Sequence, residues 1–335
     1  MLEEVDLTKS LDKKEYKKLM PALRNRLYSL QKAAWDAKIP IVILFEGWDA
    51  SGKGTSIQTL TARLDPRGFK LYPIRAARTY EQKRPWLWRF WLKLPGRGEW
   101  AMFDRSWYGR VLVERVENLT PEPEWRRAYR DIVDFERAIA DDSYQIIKFW
   151  LHISKQEQKR RFKKLVQDPL TAWQVTAEDW DHHSKYDDYL LAVEEMLERT
   201  NTEWGPWTIV EATNRYWTHV KIFQSLIVAL EERLGKIPGA LPPAPPPTKI
   251  VTEDLEQEEA PTQETPPTLP AEDQAVVTES PGKKTRKTRR KEEAAAESEP
   301  EPTRKKKGKE EPAAEPESEP ARKKERKKET VEKQD

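Results

Sequence analysis

Cysteine is absent from the 335 residues, which excludes disulfides and thiolate metal sites and fits a reducing interior. Long apolar runs are absent too. No stretch approaches the roughly 18 apolar residues of a membrane span, and the first 36 residues lack the apolar core of a signal peptide. A cytoplasmic protein without membrane association is therefore the expectation. Net charge is small, +2, so local clusters of charge must identify partners. Aromatic residues vanish towards the C-terminus: all 14 Trp lie at or before Trp217, and no aromatic follows position 241. Pro, Glu, Lys, Ala and Thr dominate there and cannot bury enough apolar surface to offset ordering entropy. The expected organisation is a folded domain over 1–238 and a disordered tail over 239–335.

What is present centres on Ile41-Val42-Ile43-Leu44-Phe45-Glu46-Gly47-Trp48-Asp49-Ala50-Ser51-Gly52-Lys53-Gly54-Thr55. A β-branched apolar run, a Gly-rich turn and a stretch free of helix breakers read as strand, loop and helix. That is the setting of a phosphate-binding loop. Gly47 and Gly52 let successive N–H groups turn inward, the helix start adds positive field, and Lys53 reaches the terminal phosphoryl. The match to G-x-x-x-x-G-K-[ST] is incomplete, because Gly54 removes the hydroxyl that ligates Mg²⁺. Asp49 is the natural substitute, as a hard oxygen donor suited to Mg²⁺, and Thr55 could contribute one position late. The alternative is a chance match in a strand-to-helix turn.

Residues 13–37 place Tyr16, Leu19, Leu23, Leu27 and Leu30 on one helical stripe, expected to break near Pro21. Further strands are expected at 70–74, 100–104, 145–153 and 207–210, with helices between them at 122–140 and 187–199. Strands alternating with helices imply an α/β fold with a parallel sheet and ligands at the carboxyl ends of the strands. Asp104 ends the third strand in Phe103-Asp104-Arg105-Ser106-Trp107-Tyr108-Gly109-Arg110, where a P-loop protein places a metal-facing carboxylate. The competing reading is a helix cap. Basic residues (Lys70, Arg75, Arg78, Lys83, Arg84, Arg89, Lys93, Arg97) interleave with Trp86, Trp88, Phe90 and Trp91. They read either as a solvated face over a core patch or as a track for a polyanion. Residues 155–200 have the character of a helical lid, in which Arg161 is a candidate arginine. His182 and His183 lack a Cys or Glu-x-x-His partner at metal spacing, and His152 reads as structural.

Taken together, the loop motif, Leu64-Asp65-Pro66-Arg67-Gly68, the 103–110 segment, Val113-Glu114-Arg115-Val116 and Lys148-Phe149-Trp150-Leu151-His152-Ile153-Ser154 resemble the successive signatures of the type 2 polyphosphate kinase family. The resemblance implies a P-loop kinase-like, three-layer fold with about five parallel strands and a helical lid. It implies Mg²⁺-dependent phosphoryl transfer, with Mn²⁺ as a substitute, between inorganic polyphosphate and an adenine nucleotide. In this sequence Asp49 and Asp104 would hold the metal, and Lys53 with Arg105 would grip the phosphoryl. Arg110 and Arg161 would neutralise growing charge. Gly47, Ala50, Ser51, Gly52, Gly54 and Thr55 would form the cradle, with Arg67, Lys70 and Arg75 along the polyphosphate track. Trp48 and Gly109 resemble the branch whose acceptor is AMP. Asn214, Arg215, His219 and the 76–80 segment depart from the family pattern. The family implies a homo-oligomer, dimer or tetramer, and nucleic acid is not an expected partner. An ATP-dependent nucleoside monophosphate kinase is the first alternative. A non-catalytic P-loop scaffold, whose tail binds polyanions through 283–291 and 304–307, is the second.

Overall fold

The computed structural model describes residues 2–243, so the expected tail, beyond its first five residues, lies outside the described residues. Helix α1 (Lys13–Asp36) leads into strand β1 (Ile41–Gly47), followed by α2 (Lys53–Thr61), β2 (Phe69–Pro73) and the short helices α3 (Thr79–Gln82) and α4 (Trp88–Trp91). Next come β3 (Trp100–Asp104), α5 (Val113–Val116), α6 (Glu122–Asp141), β4 (Gln145–His152), α7 (Lys155–Gln167), α8 (Ala177–Ser184), α9 (Tyr186–Thr200), β5 (Trp207–Glu211) and α10 (Arg215–Gly235). The five expected strands are all present, and the bounds expected for β2 to β5, α6 and α9 are met within one residue.

The strands form one parallel sheet in the order β2-β3-β1-β4-β5. Its central strand, β1, is apolar and buried from Ile41 to Phe45 because it is covered on both faces, as parallel sheets require. Helices α1, α2 and α10 make one layer, and α5, α6 and α9 the other. In register, Phe45 lies beside Asp104 and Phe149, so the ends of β1, β3 and β4 converge on one edge.

Pro21 does not break α1. The ring removes the N–H that would bond to Lys17, at about 3 kcal/mol. The helix nevertheless runs from its Asp12 cap to Asp36, with Met20, Leu27, Leu30 and Ala34 buried and the rod packed along α10. Side chains tie the two helices together: the Tyr16 and Tyr216 rings are 4.8 Å apart, and Arg26 Nε donates to Glu231 Oε1 at 2.6 Å.

Beneath the site lies a fully buried ion pair. Lys148 Nζ, on β4, donates to Glu136 Oε2 of α6 (2.8 Å), Tyr108 Oη (2.9 Å) and the Thr200 carbonyl (2.8 Å). Glu136 Oε1 accepts from Trp107 Nε1 and Tyr108 Oη. Every charge in this network is met, the condition under which a buried pair is tolerated. It anchors the turn that follows Asp104 and Arg105.

Candidate active site

The Gly-rich turn leaves β1 at Gly47. There φ is +148°, and an added Cβ would sit 2.6 Å from the Leu151 carbonyl oxygen. Only glycine fits such a close approach. Gly52, at φ +100°, reverses the chain into α2, which starts at Lys53. The Lys53 ammonium donates back to the carbonyls of Gly47 (2.8 Å) and Trp48 (2.9 Å). The Thr55 hydroxyl donates to the Gly52 carbonyl at 2.9 Å, so it serves the loop itself. Ser51 Oγ is buried without a hydrogen bond among the described residues, at the wall of a 920 Å³ cavity. That cavity is lined by the loop from Ala50 to Thr55, by Asp104 and by Arg75, Arg105 and Arg161. Two cations that the sequence did not single out as ligands, Lys164 and Arg215, line it as well.

Asp104 closes β3 and faces this cavity, and its carboxylate makes no hydrogen bond among the described residues. It is not the cap of the turn that follows: Ser106 accepts from Tyr108 N in that role. Asp49 is engaged differently. Its Oδ1 accepts from Arg105 Nη2 at 2.6 Å, and its Oδ2 lies 3.2 Å from His182 Nδ1. Burial would raise its carboxyl, but the His182 hydrogen bond and the charges of Lys53 and Arg105 outweigh that and hold it well below the usual carboxylate range. Asp49 lines a smaller apolar cavity of 80 Å³ with Glu46, Trp150, His182 and Tyr189, and Arg105 lines both cavities. Burial lowers the Lys53 ammonium's pKa, opposed by the fields of Asp49, Asp104 and Glu46; the same three carboxylates act on Arg105. Glu46 is buried, accepts from Ser106 Oγ at 2.7 Å and is pushed up by desolvation.

Among the described residues no group of three or more His, Cys, Asp and Glu is arranged around a metal position. The Asp104 carboxylate faces the large cavity and Asp49 the smaller one, with Arg105 lining both; hard carboxylate oxygens of this kind are the donors that a divalent ion keeping most of its waters takes.

The expected arginines and lysines divide. Arg75, just past the carboxyl end of β2, lines the large cavity. Lys70 and Arg67 do not. In the parallel register Phe69 lies beside Trp100, which in turn lies beside Ile41. The start of β2 is thus at the opposite edge of the sheet, where Arg67 is bound to Asp65 and Lys70 to Glu99. Arg110 lines neither cavity. It is paired with Glu114 at 3.0 Å, donates to Thr120 Oγ1 and lies over the Trp86 ring. Arg161 lines the cavity but spends its N–H groups on backbone carbonyls and Glu157. Lys53, Asp49, Asp104 and Arg105 are brought together; Arg67, Lys70 and Arg110 lie outside that group.

Helices α7 and α8 supply contacts that no sequence signal indicated. His182 reaches Asp49 across 133 residues, and Gln158 Nε2 donates to the Asp49 carbonyl at 3.2 Å. His183 Nδ1 lies 2.7 Å from Gln158 Oε1. Trp48 stacks on Tyr186 of α9, ring centroids 4.0 Å apart, and donates to His152 Nδ1 at 3.0 Å. His152 is thereby structural, as is His219, which is buried against Tyr16. Asn214 caps α10, accepting from Tyr216 N and Trp217 N, which accounts for one departure from the family pattern.

Residues 10–237 match the family model described as Polyphosphate kinase 2 (PPK2). The chain is 42% identical over 236 residues to a polyphosphate:AMP phosphotransferase of Pseudomonas aeruginosa, covering 70% of this chain and 48% of that one. A protein of the same name from Pseudomonas syringae pv. tomato is 40% identical over 236 residues, with 70% and 47% covered. The chain thus spans about half the length of these curated relatives. Among solved structures, polyphosphate kinase 2 from Arthrobacter aurescens TC1 superposes with a TM-score of 0.68 at 29% identity, covering 78% of this chain and 93% of that one. With the sheet, the loop and the family match in agreement over the same residues, the chain belongs to the polyphosphate kinase 2 family.

Proposed function

We propose that this protein moves phosphoryl groups from inorganic polyphosphate to AMP, forming ADP. The observation that carries the proposal is the large cavity. A phosphate loop and Asp104 line it together with five cationic side chains, Arg75, Arg105, Arg161, Lys164 and Arg215, a setting suited to a polymeric anion. The names of the 40–42% identical relatives support AMP as acceptor.

In the proposed reaction the loop amides and Lys53 bind the phosphoryl to be moved, once Lys53 swings off the Gly47 and Trp48 carbonyls. Arg105 neutralises charge beside it, and the lid excludes water. Asp104, with Asp49, would hold Mg²⁺ or Mn²⁺. When bound, the ion would withdraw charge from phosphate oxygens. Such transfer depends mainly on positioning and charge neutralisation, and these residues supply both.

The test is direct. Purified protein with AMP, Mg²⁺ and polyphosphate should form ADP. ADP formed with ATP as donor but not with polyphosphate would overturn the proposal in favour of an ordinary nucleotide kinase.

A further inference from the structure

Arg161 offers five N–H groups, and all five are used. Nε donates to Glu157 Oε1 (2.7 Å), Nη1 to the carbonyls of Ala50 (2.9 Å) and Ser51 (3.0 Å), and Nη2 to the carbonyls of Ala212 (2.6 Å) and Thr213 (3.0 Å). One planar guanidinium therefore joins the lid helix α7, the phosphate loop and the turn before α10. With no N–H to spare, it has nothing left to offer a phosphate unless it abandons this clamp.

The clamp has a geometric consequence for the cradle. In a planar trans peptide the C=O of one residue and the N–H of the next point in opposite directions. Holding the Ser51 carbonyl on Arg161 turns the Gly52 N–H away from Arg161, and that N–H has no partner among the described residues. The neighbouring peptide is also fixed, because Ser51 N donates to the Trp48 carbonyl at 3.0 Å. At the clamp's other end, Thr213 lies two residues before Arg215, a cation of the same cavity.

We propose that Arg161 is a positioning residue: by clamping the Ala50 and Ser51 carbonyls it pre-orients the Gly52 amide for a phosphate oxygen and sets Arg215 across from it. This deepens, and rests on, the phosphoryl-transfer reading of the cavity. Arg161 contributes through donor geometry, so a lysine, which keeps the charge but lacks the fork, cannot replace it.

The test uses the full chain carrying Arg161→Lys, Arg161→Ala or Glu157→Gln. Hydrogen exchange without substrate is the first readout. Amides of residues 47–54 and 212–215 should exchange about tenfold faster in both Arg161 variants, less so in Glu157→Gln, while β1 and β4 stay protected. Steady-state kinetics are the second. The kcat should fall by about 100-fold in Arg161→Lys as in Arg161→Ala, with KM for polyphosphate changed by less than about threefold. Loop exchange unaltered in all three variants, or a lysine variant within about threefold of the parent kcat, overturns the proposal. The exchange readout needs no donor, so it stands even if ATP replaces polyphosphate in the activity assay.

Discussion

Glu136 and Lys148 meet at 2.8 Å with neither side chain exposed at all, one from α6 and the other from β4. The pair supports Trp107 and Tyr108 and, through them, the turn that presents Arg105. Removing one partner strands the other charge in the core, at about 3–5 kcal/mol. Glu136→Gln and Lys148→Met should each lower the denaturant midpoint accordingly, whereas the double replacement Glu136→Leu with Lys148→Met should recover much of the loss. Equilibrium urea unfolding checks this, and single variants as stable as the parent would contradict it.

The Asp104 carboxylate makes no hydrogen bond among the described residues. Asp104→Asn should therefore leave the melting temperature nearly unchanged and cut kcat by at least about 100-fold if it carries the metal, since that stabilisation amounts to several kcal/mol. Asp49→Asn should reduce the rate similarly but also loosen α8, because its two oxygens hold Arg105 and His182. Chelation with EDTA should abolish ADP formation, and Mg²⁺ or Mn²⁺ should restore it. Initial rates at saturating substrate decide the three rate predictions, and thermal melts the stability of the two variants.

The division of the basic residues by sheet edge is testable by KM. Arg75→Ala should raise KM for polyphosphate several-fold and weaken its salt dependence, as loss of a phosphate contact does. Arg67→Ala and Lys70→Ala should leave both unchanged, since their side chains lie at the far edge. A rise in KM from Arg67→Ala would place the polymer elsewhere.

Acid should destabilise the fold before the carboxylates titrate. Desolvation pushes His152 and His219 down to about 4, whereas an unfolded histidine titrates near 6.5. Between these values the unfolded chain binds more protons, so the contribution of these two rings is full above pH 6.5 and falls as pH drops towards 4, by at most about 1.4 kcal/mol per unit for each ring. Thermal melts from pH 8 to 4 should show this slope, and His219→Asn should reduce it. A flat melting temperature across that window would contradict the buried neutral assignment.

The strand–loop–helix reading of 41–64 was legible because its signals are local. A parallel strand covered on both faces must be apolar throughout, and a backbone that crowds the Leu151 carbonyl must be glycine. The position of Asp104 was legible for a similar reason, since it is the first charge after the apolar run of a covered strand and closes β3. Pro21 misled because propensity speaks for an isolated helix, while α1 is held by the face it buries on α10. Lys70, read from the density of charge, and Arg67, carried over from the resemblance, were placed on the track because neither signal says which edge of a sheet a side chain reaches; both are paired at the far edge.

By itself the sequence determined the order of elements, the phosphate loop and the acidic residue at the end of β3, all of which follow from neighbours within a few positions. Only the tertiary structure decided which distant groups meet there. His182 on Asp49, Gln158 on the loop backbone, the saturation of Arg161 and the arrival of Lys164 and Arg215 in the cavity depend on how α7, α8 and α10 pack against the loop. Those contacts span from about 50 to more than 100 residues, and such separations leave no periodic or compositional trace in the chain.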